Sequence, residues 1–326
     1  MKVAIGLPNS IPNTPGAALV AWAREAEAHG FSSLGTIGRI VFDCHEELIA
    51  LAAAAAVTSR IGLATTVLIS PARESVLLAK QAATLDALSQ GRLTLGIGVG
   101  WREDDFRATG AQGSYAKRGA VIERQIEVMR RVWSGRELGD GLGAVGPAPV
   151  RPGGPEILLG GAAPAALRRA GRLADGFFAL PAPADEVARQ FGAVSTGARE
   201  AGRAGPPRLV APRYFALGDD GRAAAEANVR AYYGIAGDDF VRNVLSGLVT
   251  TPEGVRAAVE ELGKVGVDEL FFWPMHADLG QVERLARALG LPAVFTLAVG
   301  GTSFPIVWSI LGSALFVAVL GFIARR

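Results

Sequence analysis

Between Arg60 and Phe106 two short β-runs enclose a single amphipathic helix, and few topologies accommodate that spacing. Ile61-Gly-Leu-Ala-Thr-Thr-Val-Leu-Ile69 is rich in β-branched residues and is stopped by Ser70-Pro71. Arg92-Leu-Thr-Leu-Gly-Ile-Gly-Val-Gly100 repeats the pattern and ends on glycines. Val76, Leu77, Ala83, Leu85 and Leu88 mark the helix between them, and Gly91 ends it. A strand, helix and strand this closely spaced form a right-handed crossover between parallel strands. Ligands then belong at the carboxyl ends of those strands, which places Ser70, Gly98, Gly100 and Trp101 near a site.

The same alternation continues along the chain. Val3–Leu7 and Phe31–Ile37 read as strands, with a helix from Thr14-Pro15 to Gly30 between them. An alanine-rich helix over Glu46–Thr58 precedes the two strands above, and a helix from about Tyr115 to Trp133 follows them. Gly135 to Gly154 is dense in Gly and Pro and reads as a long loop. Further strands are expected at Ile157–Leu159, Gly176–Leu180, Leu209–Leu217 and Glu269–Trp273, with helices from Pro164, from Ala184 and up to Leu262. Roughly eight β-runs, each followed by a helix, predict an α/β fold of the (β/α)₈ TIM-barrel type over residues 1–290.

Composition removes several function classes. The 33 basic residues stand against 31 acidic ones for a net charge of +2, and no Lys/Arg block interrupts the body, so nucleic acid is not an expected partner. Cys44 is the only cysteine, which excludes an intrachain disulfide and a cysteine zinc cage and suits a reducing cytoplasm. No metal site is expected. Gly96-Ile-Gly98-Val-Gly100 places its glycines alternately within a strand, so it is no dinucleotide fingerprint. No H-E-x-x-H, G-x-S-x-G or Walker A motif occurs.

Phe304 to Ile323 is a run of 20 uncharged residues followed by Ala324-Arg325-Arg326. As a helix at ~1.5 Å per residue it would cross a ~30 Å hydrocarbon core. It is therefore expected to be an appended apolar helix, joined through a linker at 291–303 and anchoring the barrel to the membrane from the cytoplasmic side. An extra buried or oligomer-forming helix is the structural alternative. The N-terminal run Val3–Leu7 is too short for a signal-peptide core.

Several segments together resemble the bacterial luciferase-like flavin-dependent oxidoreductases: Leu63-Ala-Thr-Thr-Val-Leu-Ile-Ser-Pro71, Leu78-Ala-Lys-Gln-Ala-Ala-Thr-Leu-Asp86, Leu88-Ser-Gln-Gly-Arg92, Gly96 to Phe106, Gly160-Gly161 and Leu173-Ala-Asp-Gly176. The resemblance covers about Met1 to Leu289. It implies a (β/α)₈ barrel holding flavin mononucleotide (FMN) or the deazaflavin coenzyme F-420 at its carboxyl end. It also implies oxidoreductase or monooxygenase chemistry on a small organic substrate, and admits a flavin or deazaflavin reductase and a second copy of the chain as partners. A catalytically silent flavin-binding or scaffold protein and a sugar-phosphate aldolase or isomerase are the alternatives.

The resemblance implies a bulge beneath the ring at the end of the third strand, carried over to Leu68, Ile69 and Ser70. Gly98 and Gly100 would let the cofactor approach the fourth strand closely. Gly160, Gly161, Ala162 and Ala163 precede a helix whose first turn contains Pro164, so free amides and the positive end of the helix dipole would meet the cofactor phosphate there. After the second strand many relatives carry an acidic residue before an arginine, whereas this chain reads Thr36-Ile-Gly-Arg39. Relatives often place a histidine near this strand end. His45, with Asp43 beside it and Arg39 upstream, forms the candidate catalytic set, although His45 reads equally as a first-turn helix residue. Arg102, Glu103, Asp104 and Asp105 either line the mouth or form a solvated turn, and His276 lies just past the last strand.

Overall fold

The computed structural model describes residues 1–139 and 141–291 in full, and the backbone of 296–299 and 302–305. Strands β1 (Lys2–Gly6), β2 (Ser33–Thr36), β3 (Gly62–Ile69), β4 (Leu93–Gly98), β5 (Glu156–Gly160), β6 (Gly176–Phe178), β7 (Arg208–Phe215) and β8 (Glu269–Pro274) close in sequence order. Every pairing is parallel, and β8 returns to β1. The chain is a (β/α)₈ barrel.

The helices are α1 (Gly16–Ala28), α2 (Glu47–Ala55), α3 (Ser75–Leu88), α4 (Glu103–Ala108), α5 (Gln112–Tyr115), α6 (Arg118–Trp133), α7 (Pro164–Leu173), α8 (Ala184–Glu200), α9 (Gly221–Tyr233), α10 (Asp238–Ser246), α11 (Pro252–Lys264) and α12 (Gly280–Leu289). Thr14 and Pro15 were expected as N-cap and first-turn residue of α1. Instead Pro15 is the cap, and the Thr14 hydroxyl donates back to the Ile11 carbonyl at 2.7 Å. Between β7 and α11 the chain inserts two helices, α9 and α10, and the first of these packs over one end of the barrel.

Strand alternation divides the core in two. Ile5, Leu34, Leu63, Leu95, Ile157, Phe177 and Phe272 face the helices, whereas Ala4, Ala64, Leu158, Phe178, Val210, Phe271 and Trp273 fill the barrel. Each large side chain fully buried in this way contributes about 1.5–3 kcal/mol. The interior is lopsided. A Cβ on Gly6 would lie 2.5 Å from the Trp273 ring and one on Gly35 2.9 Å from Phe271, so small residues on the first strands make room for aromatics on the last.

The amino end of the barrel is sealed by ion pairs of Arg208 with Glu156 and Glu269. Ser33 donates to Glu269 at 2.9 Å and Thr94 to Glu156 at 2.9 Å, so the buried charges are compensated. Any ligand site therefore lies at the opposite, carboxyl end.

The expectation for the tail changes. Phe304 and Pro305, taken as the start of an apolar helix, lie in strand β10 (Thr302–Pro305), which pairs antiparallel with β9 (Thr296–Val299) in the segment expected to be a linker. Only the glycines 300 and 301 separate the two strands in sequence, a spacing that favours a hairpin over the entry to a helix. Residues 306–323 of the expected anchor lie outside the described residues. Among those described, no helix is long and apolar enough to cross a membrane.

Candidate active site

Strand β3 does not run straight to its end. The Thr66–Val67 peptide is cis, and the register with β4 slips between Thr65, opposite Leu95, and Leu68, opposite Ile97. The Thr65 hydroxyl donates to the Gly96 carbonyl at 2.6 Å and fixes the strand just before the slip. A bulge reverses the alternation beyond it. Val67 thus enters the barrel mouth, while Leu68 is buried in the outer core with the helices. Ser70 is also turned away, its hydroxyl donating to Gln125 Oε1 at 2.6 Å and its carbonyl accepting from Gln125 Nε2 at 3.1 Å.

The bulge therefore comes before the Leu68–Ser70 region, and the Leu68 and Ser70 side chains turn towards the helices. The glycines at the ends of β4 and β5 lie against the bulged segment. A Cβ on Gly98 would meet Val67 Cγ2 at 2.7 Å, and one on Gly160 would meet Val67 at 3.1 Å. Gly100, at φ +67°, leaves space that Ile69 Cγ2 would contest at 2.7 Å. These glycines first accommodate the bulge. Gly98→Ala is expected to cost about 1–3 kcal/mol through overpacking, and Val67→Ala in the same chain to recover most of it. Urea unfolding of the two single variants and the double variant measures that coupling, and additive losses would show that Gly98 does not serve Val67.

At the end of β5 the chain turns through Gly160, Gly161, Ala162 and Ala163 into α7. Gly161 has φ +143°, and a Cβ there would lie 2.9 Å from that of Ala166. Pro164 opens the helix, Ala163 is its N-cap, and no side chain caps it. The Ala163 carbonyl accepts from Ala166 at 2.8 Å and Leu167 at 3.1 Å, and residues 162–165 are exposed. Uncapped amides beside a glycine turn at the mouth suit an anion.

The three catalytic candidates after β2 are each bound elsewhere. Arg39 donates through Nη1 to the Tyr232 carbonyl at 2.6 Å and through Nη2 to the Val41 carbonyl at 2.9 Å. Its guanidinium lies 4.9 Å from the Phe42 ring centre and 5.2 Å from that of Tyr232. Asp43 is exposed and accepts from the Asn13 amide at 3.2 Å. The His45 Nε2 donates to the Thr14 carbonyl at 2.7 Å, and its main chain is bound on both sides by Asn9. Asp105, fully buried, holds this loop by accepting from the amides of Ile40 at 3.0 Å and Val41 at 2.8 Å, so the acidic cluster of α4 is not merely a solvated turn.

Sequence reasoning missed Glu47. Its carboxyl group fills the space of the side chain that Gly38 lacks, because a Cβ at 38 would lie 2.7 Å from Glu47 Cδ and 2.8 Å from Oε1. Arg73 donates to Glu47 at 2.7 Å and to Glu46 at 2.6 Å. Burial holds the Glu47 carboxyl above the usual carboxylate range, with Arg73 pulling it the other way. The sequence signal was the pairing of Gly38 with a Glu46-Glu47 doublet at the start of the next helix.

Also missed was the aromatic roof. The phenols of Tyr214 on β7 and Tyr233 on α9 hydrogen-bond each other, and Asn228 Nδ2 donates to the Met275 carbonyl at 2.9 Å. Together with Ser10 and Ile37 they line a water-sized cavity over the mouth. Burial pushes the Tyr214 and Tyr232 phenols well above their ordinary range and that of Tyr233 in the same direction. His276 stands outside, with Nε2 3.3 Å from Asp220 and Nδ1 accepting from the Asp278 amide at 2.9 Å. Among the described residues no three His, Cys, Asp or Glu side chains converge as a metal ion requires.

A family model described as luciferase-like monooxygenase matches residues 1–257. An uncharacterized protein of Mycobacterium tuberculosis is 33% identical over 170 residues, 50% of this chain and 59% of that protein. The F420-dependent glucose-6-phosphate dehydrogenase of Nocardia farcinica is 35% identical over 164 residues, 47% of this chain and 48% of that enzyme. The matched part thus spans about half to three fifths of these relatives. A monooxygenase from Streptomyces bottropensis superimposes with a TM-score of 0.71 at 24% identity, covering 89% of this chain and 97% of that one, a likeness of fold.

Proposed function

Because the chain belongs to the luciferase-like monooxygenase family, we propose that it is an oxidoreductase using FMN or deazaflavin F-420 on a small organic substrate at the barrel mouth. The observation that carries this reading is the β3 bulge, which sets Val67 between glycine-bearing β4 and β5, beside the uncapped start of α7. A flat ring needs an apolar support, and a phosphate needs free amides, so the two features suit the two ends of one cofactor.

In this reading Val67 and Ile69 support the ring, and the amides of Gly161, Ala162, Ala163 and Ala165 hold the phosphate, Pro164 having no N–H to offer. The ring supplies two-electron redox chemistry when bound, while the protein orients, excludes water and sets the local field. Arg39 contributes to that field, since among the described residues no carboxylate pairs with it and its Nε has no partner. Its positive charge favours whatever anionic form develops in the mouth. The tyrosine roof keeps water from the mouth. His45 Nε2 and Asp43 Oδ2 bind the Thr14 carbonyl and the Asn13 amide, which ties the loop after β2 to the lead-in of α1.

Titrating the full chain with FMN and with F-420, followed by ring fluorescence, is expected to give saturable one-to-one binding with one of them. No change with either would overturn the reading. Oxygen uptake by the loaded protein with reductant then separates a monooxygenase from a dehydrogenase.

A further inference from the structure

We propose, resting on the cofactor-dependent reading above, that the compartment between α9 and the rim formed by β7, β8, β1 and β2 seats an uncharged, largely apolar substrate bearing one hydroxyl or carbonyl oxygen, which the Tyr214–Tyr233 phenol pair binds. The compartment lies across the mouth from the β4–β5 glycines, so a molecule in it would face a ring supported by Val67. Ile11, Ile37, Met275 and the tyrosine rings line it, and apart from the phenols no lining side chain ionises.

The hydrogen-bond count gives the polar end of the ligand. In the phenol pair one hydroxyl donates and the other accepts, and the accepting hydroxyl keeps a hydrogen of its own with no further protein partner. Asn228 spends an amide N–H on the Met275 carbonyl and keeps its side-chain oxygen as an acceptor. The second N–H of Asn228, the Ser10 hydroxyl and the Tyr232 phenol add further donors to the lining, so donors with an acceptor in a compartment that carries no charge match an alcohol, and the donors alone match a ketone. Burial keeps the phenols protonated at neutral pH, so the donor persists.

A phosphorylated or carboxylated substrate finds no cation to hydrogen-bond there, although the Arg39 charge reaches the phenols of Tyr232 and Tyr233. Arg39 does not line the compartment, and it gives both terminal nitrogens to main-chain carbonyls. An anion buried among neutral groups is strongly disfavoured. The void is water-sized as it stands, so a larger ligand enters by lifting α9, which the phenol pair, Asn228 and Arg39 tie to the rim.

Calorimetric titration of the full chain, with and without cofactor, tests this with cyclohexanone, cyclohexanol, methylcyclohexane and glucose 6-phosphate as probes. Both oxygenated rings are expected to bind about fivefold to tenfold more tightly than methylcyclohexane, the effect of one neutral hydrogen bond, with no binding of glucose 6-phosphate. The double variant Tyr214→Phe with Tyr233→Phe, which removes both phenol hydrogens, is expected to lower the preference for cyclohexanone over methylcyclohexane, whereas Tyr233→Phe alone leaves the Tyr214 hydroxyl free to donate. If the double variant fails to fold, the comparison of ligands on the unmodified protein still decides. Failure to bind either cofactor overturns the wider reading. Cofactor binding without preference for the oxygenated rings, or with glucose 6-phosphate bound as tightly as cyclohexanol, overturns this proposal alone.

Discussion

Changing Ala163 to aspartate is expected to move two properties in opposite directions: the cofactor-free protein becomes more stable, and cofactor affinity falls. Ala163 caps α7 with φ −66° and ψ 143°, the extended geometry in which a side-chain oxygen reaches the amides two and three residues on. The present side chain offers no acceptor, so an aspartate adds about 0.5–2 kcal/mol of helix capping. The same carboxylate would compete for the Ala165 amide proposed for the phosphate and repel the anion. Loss of one or two charge-assisted hydrogen bonds corresponds to about 1.5–3 kcal/mol, or roughly tenfold to a hundredfold in affinity.

Ala163→Asn separates the two effects, since it caps without charge and should retain more affinity than the aspartate. Thermal unfolding of the cofactor-free variants and fluorescence titration with cofactor measure both sides. An aspartate variant that is stabilised and binds unchanged would place the phosphate elsewhere. Gly161→Asp is a poorer probe, because φ +143° at that position strains any side chain whatever its charge.

The barrel was legible because its signals are local. Eight β-runs punctuated by Gly and Pro, the Gly160–Pro164 turn and the long loop before β5 each declare themselves within a few neighbouring residues. The contents of the mouth were not legible to the same degree. Alternation counted from Ala64 carries Leu68 and Ser70 inward, but the bulge at Thr66–Val67 reverses the count, and no residue type announces a one-residue slip. His45 and Asp43 lie near in sequence to where a proton donor was sought, yet their side chains were already bound by the lead-in to α1.

Glu47 and the tyrosine roof escaped for the opposite reason, since both depend on pairs distant along the chain. Gly38 reads as a missing carboxylate until Glu47 is seen filling its place. Tyr233 meets Tyr214 only because α9 folds back over β7, a contact between residues 19 apart that no local pattern announces. For the tail, hydropathy alone suggested a helix from Phe304, whereas pairing of Thr302–Pro305 with Thr296–Val299 is a property of two segments together.

Arg73→Met should be among the most destabilising changes near the mouth, costing about 3–5 kcal/mol at neutral pH, because removing one partner leaves a buried charge uncompensated. Glu47 is 3% exposed and stays within α2 whether or not Arg73 is present, whereas Glu46 is partly exposed and can rehydrate. The loss is therefore dominated by Glu47. Its carboxyl is already raised from the ordinary value, chiefly by burial, with Arg73 opposing the rise, so deleting the guanidinium raises it further. A carboxyl raised in the folded state binds more protons there than in the unfolded chain, so its penalty grows as pH rises from the unfolded value through the folded one.

The variant is consequently expected to regain stability as pH falls from neutral towards the ordinary glutamate range, while the unmodified protein changes less over the same interval. Arg73→Met with Glu47→Gln removes the charge altogether and should recover much of the loss at neutral pH, with little pH dependence remaining. Urea midpoints at a series of pH values measure all three chains. Equal losses at every pH, or no recovery in the double variant, would show that Arg73 acts by packing and not by compensating Glu47, and that the carboxyl beside Gly38 is neutral without its help.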